Sequence, residues 1–300
     1  MSDTFLAIVN PAAGGGRCGK LAKAALEKLR AAGVELQVAE TSEPGDATRL
    51  ARLAYARGLR QFIAVGGDGT AYEIVNGLFP EAEGAGKPLL GFLPLGTGNS
   101  FLRDFTSNGA EYAKEAILVR RRIASDVLCL RHSGGRLYFI NLLSVGFTAD
   151  VTAAANRRFK GLGELGYLLG VLQCLARLRR RAFPLRADDD TEFDRRRCLF
   201  LSFNNSQYTG GKMKIAPQAS TGDGLIEYVR WGPIGRIGLL RNLPTLFDGT
   251  HIRHPLASRR GVRRIEFALD TPVDVMIDGE VLTLKCDSVE VLPGGLDVLV

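Results

Sequence analysis

Five residues, Gly66-Gly67-Asp68-Gly69-Thr70, carry the chemistry that is easiest to name in this chain. They follow Gln61-Phe62-Ile63-Ala64-Val65, a short apolar, partly β-branched run that predicts a buried strand. They precede Ala71, Ile74, Val75 and Leu78, which recur at helical spacing. A glycine-rich turn between strand and helix leaves backbone N–H groups aimed at one spot beside the positive end of a helix dipole, which suits a phosphate. The carboxylate of Asp68 would repel a bare phosphate, so a metal ion or a hydroxyl donor is expected between them. Asp-Gly is also a favoured hairpin turn. A hairpin needs a second alternating strand, however, and a helix pattern follows instead.

The elements that must hold this turn alternate. Phe5–Val9, Glu35–Ala39, Gln61–Val65 and Leu89–Leu93 read as strands, with helices expected near residues 21–32, 46–57 and 71–78. This rhythm predicts a parallel sheet covered on both faces, with ligands at the carboxyl ends of its strands. Two more turns fall at that edge: Asn10-Pro11-Ala12-Ala13-Gly14-Gly15-Gly16 and Pro94-Leu95-Gly96-Thr97-Gly98-Asn99. Any one could be a tight connection; three at one sheet edge converge on a common site. Thr41, just after the second strand, reaches the same edge.

From about Ser125 the texture changes to short strand-like runs separated by Gly, Asp and Asn. These are Val127–Arg131, Leu137–Leu143, Cys198–Asn204, Leu225–Arg230, Ile265–Leu269, Val273–Ile277 and Val281–Cys286. That spacing predicts an antiparallel sandwich. Helical insertions are expected at about 149–181 and 234–247, and the charged stretch Ala187–Arg197 as an exposed loop. The expected organisation is an α/β nucleotide-binding domain over 1–124 and a β-sandwich over 125–300, with the last strands able to return toward the first domain.

Composition narrows the classes. With 300 residues, 46% of them hydrophobic, the chain can bury two cores, and 36 glycines fit turn-rich α/β or β folds. Neither a signal peptide nor a membrane span is indicated; Leu165–Leu178 is too short and contains Gln173 and Arg177. The five cysteines are scattered without a Cys-x-x-Cys pair, which argues against disulfide or zinc frameworks and for a reducing cytoplasm. His251 and His254 read as surface groups. The net charge of +7 is concentrated in arginines at 177–181, 195–197 and 259–264. It favours anionic partners or simply solvated faces. Nucleic acid ranks low, because aromatic residues are not interleaved with the basic clusters and no helix-turn-helix or RNP-like signature occurs.

Together, the motifs resemble those of the diacylglycerol kinase catalytic family, which includes bacterial soluble lipid kinases, sphingosine kinases and ceramide kinases. The matching segments run nearly the whole length: the Asn10 glycine loop, Thr41–Ala47, Gly66–Thr70, Pro94–Asn99, Asn141–Phe147, Asn205, Gly210-Gly211, Ala216-Pro217, Asp223-Gly224-Leu225 and Asp278-Gly279-Glu280. The resemblance implies ATP and the acceptor meeting between an α/β domain and a β-sandwich. It implies that Asn10, Thr41, Gly66, Gly67, Asp68, Gly69, Thr70, Ala71, Tyr72, Thr97 and Asn99 hold the nucleotide. Asp68 would organise phosphates and Mg²⁺, Glu280 would be the general base, and Ser220, Asp223 and Leu225 a structural magnesium site. Read from its neighbours alone, Glu280 is the polar flank of an Asp-Gly hairpin turn.

Two features set the chain apart from many bacterial members. Ser100 stands where they carry Asp, and Lys212 replaces a third glycine after Gly210-Gly211. The run Gly146–Val151, with Arg157-Arg158-Phe159 and Leu162-Gly163-Glu164, is more similar to sphingosine kinases. In that likeness Asp150 meets the lipid head group and the helix from Leu162 to Leu178 lines an acyl pocket; a helix N-cap and ordinary core packing are the local alternatives. The expected activity is ATP- and Mg²⁺-dependent phosphorylation of a diacylglycerol-like or sphingoid lipid at an anionic membrane surface, by a cytoplasmic protein that associates peripherally and could form a homodimer. An NAD kinase-like enzyme and a nucleotide-binding regulator without kinase activity are the alternatives, although the Asn-Glu motif typical of NAD kinases is not found.

Overall fold

The computed structural model describes residues 4–158, 163–210 and 212–300. Strands β1 (Phe5–Val9), β2 (Leu36–Glu40), β3 (Gln61–Gly66) and β4 (Leu89–Pro94) form a parallel sheet in the order β2-β1-β3-β4. Side chains alternate across its two faces. Phe5, Ala7, Val9, Ile63 and Val65 pack on Cys18, Ala22, Leu26 and Leu29 of helix α1 (Arg17–Ala31). Leu6, Ile8, Phe62 and Ala64 pack on α2 (Asp46–Ala56) and α3 (Asp68–Leu78), through Ala51, Tyr55, Ile74 and Leu78. Burial on both sides explains why these strands read as continuous apolar runs. Helix α4 (Gly109–Leu118) completes this half.

The sheet does not end there. Strands β5 (Arg122–His132) and β6 (Gly135–Phe139) form a hairpin, and the last strand, Cys286–Leu299, runs antiparallel along β5. Near its end the same strand pairs in parallel with β4, at Asp297 and Val298. A second, six-stranded antiparallel sheet holds, in order, Ala257–Val262, Ile226–Trp231, Phe200–Asn204, β7 (Leu142–Gly146), Val273–Ile277 and Glu280–Leu284. Leu128, Leu130, Phe139 and Val289 of the first sheet meet Leu143, Val145, Leu201 and Phe203 of the second, giving the expected sandwich. Its outer face is covered by α5 (Phe147–Arg158) and α6 (Gly163–Ala176), with Val151, Val171 and Leu175 against Phe200 and Trp231. Two short helices, α7 (Arg236–Asn242) and α8 (Thr245–Asp248), bury Leu239 and Leu246 in that same cluster.

Several expectations are corrected. Leu137–Leu143 is not one strand: it breaks between β6 and β7, because the Asp278 carboxylate takes the N–H groups of Ile140, Asn141 and Leu142. Those donors are therefore unavailable to a ladder. The strand expected at Val281–Cys286 ends at Leu284, and Cys286 opens a separate long strand. His251 is not a surface group. It is 1% exposed, its ring nitrogens meet the carbonyls of Ile215 (3.0 Å) and Thr245 (3.3 Å), and burial lowers its pKa. Phe159 and Leu162, part of the run read as sphingosine kinase-like, lie outside the described residues, as does Gly211. Among the described residues no helix is long and apolar enough to cross a membrane.

Candidate active site

The three glycine turns are bolted to one another. Gly96 N–H donates to the Gly66 carbonyl at 2.7 Å, and Asp68 N–H to the Gly98 carbonyl at 3.0 Å. Arg17 spans the first and third turns, its guanidinium donating to the carbonyls of Leu95 (3.3 Å) and Gly96 (3.1 Å). Glycine is required where the turns touch: a Cβ on Gly67 would lie 2.8 Å from the Gly98 oxygen, and one on Gly96 2.8 Å from the Gly67 Cα. Gly67→Ala is therefore expected to cost about 1–3 kcal/mol of stability by forcing the turns apart. A urea midpoint equal to that of the native sequence would show that the turns part freely.

Together the turns form one wall of an open cleft of about 410 Å³. Gly14, Gly69, Thr97 and Gly98 line it, and among the described residues their N–H groups have no protein acceptor. Gly14, Gly15 and Gly16 all have positive φ, between 64° and 86°, which only glycine adopts readily and which turns successive amides toward one side. Gly69 also sits in the first turn of α3, where helical N–H groups have no intrahelical partner. Unclaimed amide donors around an open cleft are an anion site. Thr70 Oγ1 is buried below the turn without a hydrogen-bond partner.

Both walls bring carboxylates, Asp68 from the turn after β3, and Asp278 and Glu280 from the sandwich. Asp68 is half-buried; both its oxygens accept the Ser100 N–H at 2.9 Å, and the Ser100 hydroxyl and Asn141 side chain also bond it. Burial nonetheless raises its pKa, the hydrogen bonds opposing. Ser100 thus serves Asp68 with two donors, where an Asp would set a second carboxylate against the first. Asn141 is oriented by the Ser206 hydroxyl, which donates to its Oδ1 at 2.8 Å. Asp278, buried and pushed up to about 7 by burial, begins the two-residue turn Asp278-Gly279 with both φ values positive, 47° and 96°. The hairpin reading of this turn is correct, and it delivers Glu280 to the cleft. Glu280 is exposed, with Oε1 3.3 Å from where a Cβ on Gly69 would stand.

The remaining candidates are spread over the fold. Asn10 lines the cleft, its Oδ1 accepting the Ala12 N–H, while Asn99 donates to the Gly96 carbonyl beside it. Thr41 donates its N–H to Val9 at the edge of the sheet, outside the cleft lining. Gly66 and Ala71 lie beneath the turn, and Tyr72 is buried in the sandwich core. Ser220, Asp223 and Leu225 lie apart from the cleft. There Asp223 Oδ1 accepts the Leu225 N–H, and Asp126 faces the same depression, its oxygens taking the N–H groups of Gly224 and Gly294 at 2.7 Å. Asp150 is not an N-cap: α5 begins at Phe147, and the Asp150 carboxylate is paired with Arg181.

Sequence reading gave no role to Asn141 or Asp278 and did not notice Asp104, whose oxygens accept the Gln207 N–H at 3.1 and 3.0 Å. That bond ties the third turn to the sandwich, and burial pushes Asp104 up to about 7.

A parallel α/β layer with three clamped glycine turns, faced by acidic residues from a β-sandwich, is a frame suited to binding phosphate groups. Comparison with known proteins is specific. Residues 4–130 match the diacylglycerol kinase catalytic domain, and residues 141–300 the YegS C-terminal NAD kinase beta sandwich-like domain. The chain belongs to the diacylglycerol kinase family of YegS-like proteins. It is 33% identical to the "Probable lipid kinase YegS-like" of Pseudomonas aeruginosa, over 92% of this chain and 88% of that one. It is 28% identical to the "Diacylglycerol kinase" of Mycobacterium tuberculosis, over 98% and 94%. A crystal structure of a diacylglycerol kinase from Bacillus anthracis shares the fold, with TM-score 0.73 and 23% identity over 99% of this chain and 96% of that one.

Proposed function

We propose that the protein is a lipid kinase that transfers the γ-phosphate of ATP to a hydroxyl of a diacylglycerol-like or sphingoid lipid. The observation that carries this reading is the set of unclaimed N–H groups of Gly14, Gly69, Thr97 and Gly98 around one cleft that also holds Asp68 and Glu280. Family membership supports kinase chemistry on a lipid.

The donor set fits magnesium. Mg²⁺ is usually held by one or two carboxylates together with substrate phosphates rather than by an all-protein cage. Among the described residues no group of three or more acidic, His or Cys side chains is arranged to hold a metal ion by itself. Asp68, half-buried and bonded only to neutral donors, is the residue that would hold it, with Asn141 alongside. When bound, the ion would neutralise charge on the transferring phosphoryl group. Asp223, with Ser220 and Leu225, offers oxygen donors for a second, structural ion.

The chain's own residues supply alignment and proton transfer. The amides of the three turns orient the phosphates, and Ser100 and Asn141 fix the Asp68 carboxylate. Glu280 accepts the proton of the attacking lipid hydroxyl as its oxygen bonds to the γ-phosphorus and the bond to the β,γ-bridging oxygen breaks, releasing ADP; without a base that hydroxyl barely ionises near neutrality. A protein working from the cytoplasm against a membrane surface is consistent with five free cysteines. Radiolabelled ATP with diacylglycerol, sphingosine, ceramide and NAD tests the class. Label should enter a lipid, and Asp68→Ala should reduce transfer by about 10²–10³-fold, as for loss of electrostatic anchoring. Label in NAD alone, or full activity of Asp68→Ala, would refute the reading.

A further inference from the structure

The three arginine clusters are not equivalent. Arg259 pairs with Glu227, Arg260 with Asp190, and Arg264 with Glu266 and Glu290. Arg196 pairs with Asp194. In the remaining cluster Arg181 is held by Asp150, but Arg177, Arg179 and Arg180 are exposed and have no carboxylate partner among the described residues. Arg236 and Arg241 of α7 are likewise exposed and, among the described residues, without carboxylate partners. The two groups adjoin. Arg180 Nε donates to the Ile234 carbonyl at 3.1 Å, and Arg236 donates to the Ala176 carbonyl at 2.9 Å. Leu178, Arg180, Arg197, Arg236 and Ile237 line one open depression.

Large apolar side chains stand on this cationic surface. Ile237 is 67% exposed, Leu240 47% and Phe247 54%. Leu239 is wholly buried, and helical spacing turns Ile237, Leu240 and Arg241 to the opposite side of α7. Leu246 is buried in the same way, while its neighbour Phe247 faces out. A merely solvated face would not keep these side chains in water. Aliphatic and aromatic tips among uncompensated arginines are the composition of segments that sit in the interface of anionic bilayers. The surface also leads to the cleft. Helix α8 packs on the strand Met213–Lys214, which pairs with Tyr208–Thr209, and Thr209 and Gly210 line the cleft.

We propose that this face docks the protein on an anionic lipid bilayer, with Ile237, Leu240 and Phe247 entering the head-group layer while Arg177, Arg179, Arg180 and Arg241 meet lipid phosphates. Docking here would place the Thr209–Gly210 rim of the cleft near the membrane. The biological purpose rests on the lipid-kinase reading; the physical test does not.

Sedimentation with vesicles of equal parts phosphatidylcholine and phosphatidylglycerol, and with vesicles of phosphatidylcholine alone, reads docking directly. The native chain should partition onto the anionic vesicles and much less onto the neutral ones. Ile237→Glu/Leu240→Glu and, separately, Arg179→Gln/Arg241→Gln should each lower that partition by roughly tenfold or more. Circular dichroism should show both variants folded, and turnover of a water-soluble short-chain diacylglycerol should be unchanged. Equal binding to both vesicle types, no binding by the native chain, or native-like binding by both variants would overturn the proposal. Absence of turnover on every lipid, with vesicle binding as expected, would sink the kinase reading and leave the docking face standing.

Discussion

Glu280→Gln is expected to leave the protein folded and to lower its kcat for lipid phosphorylation by about 10²–10⁴-fold, the usual contribution of a positioned general base. The amide keeps the size of the carboxylate and loses only its capacity to take a proton. Glu280 is exposed at the start of the strand Glu280–Leu284, and its backbone register with Ile277 does not depend on its side chain. The KM for ATP should therefore change little, because the amides that face the cleft belong to other turns. Steady-state kinetics with a short-chain diacylglycerol separate these effects. A kcat within a few-fold of native would remove Glu280 from the chemistry.

Asp278→Ala should act differently, through the fold. Its carboxylate takes three backbone N–H groups, at Ile140 (3.1 Å), Asn141 (3.0 Å) and Leu142 (2.9 Å), all of them buried. Leaving a buried donor unpaired costs about 1–3 kcal/mol each, so a loss of several kcal/mol is expected, a large part of a typical domain's stability. Asp278→Asn retains a carbonyl acceptor and tolerates the positive φ of 47°, so it should lose less. In the Asn variant, turnover should still fall, because Asn141 and Glu280 are both set by this corner. Urea denaturation of both variants decides the matter. If Asp278→Ala unfolds at the native midpoint, the three amides must have found other acceptors.

These two residues show what was legible in the sequence. The Asp-Gly dipeptide marks a turn by its own backbone preference, so the hairpin that presents Glu280 could be read locally. The same holds for the glycine turns after β1, β3 and β4, whose flanking strands and helices have clear periodicities. What could not be read locally is the partner of the Asp278 carboxylate, which lies 137 residues away at Asn141. For the same reason Leu137–Leu143 looked like one apolar strand. His251 was misplaced because a polar residue says nothing of the carbonyls that will meet it. The last strands were expected to be able to return toward the first domain, but one continuous strand over Cys286–Leu299 was not, because Pro293-Gly294-Gly295 reads as a break. The ladder instead accommodates it by a register shift between Leu292 and Leu296, with the Gly294 amide held by Asp126. The arginine clusters look alike in sequence, and only their neighbours in space show which arginines are paired with carboxylates.

That last strand has a consequence for biosynthesis. Val298, Leu299 and Val300 are buried, and the Val300 amide is bound by the Arg121 carbonyl. A nascent chain emerging from the ribosome therefore exposes the flank of β4 as an unpaired edge until Asp297 and Val298 have been made, a state prone to wrong association. The α/β half is sealed there by Asp297 and Val298, so a chain truncated before them would be expected to leave β4 uncovered.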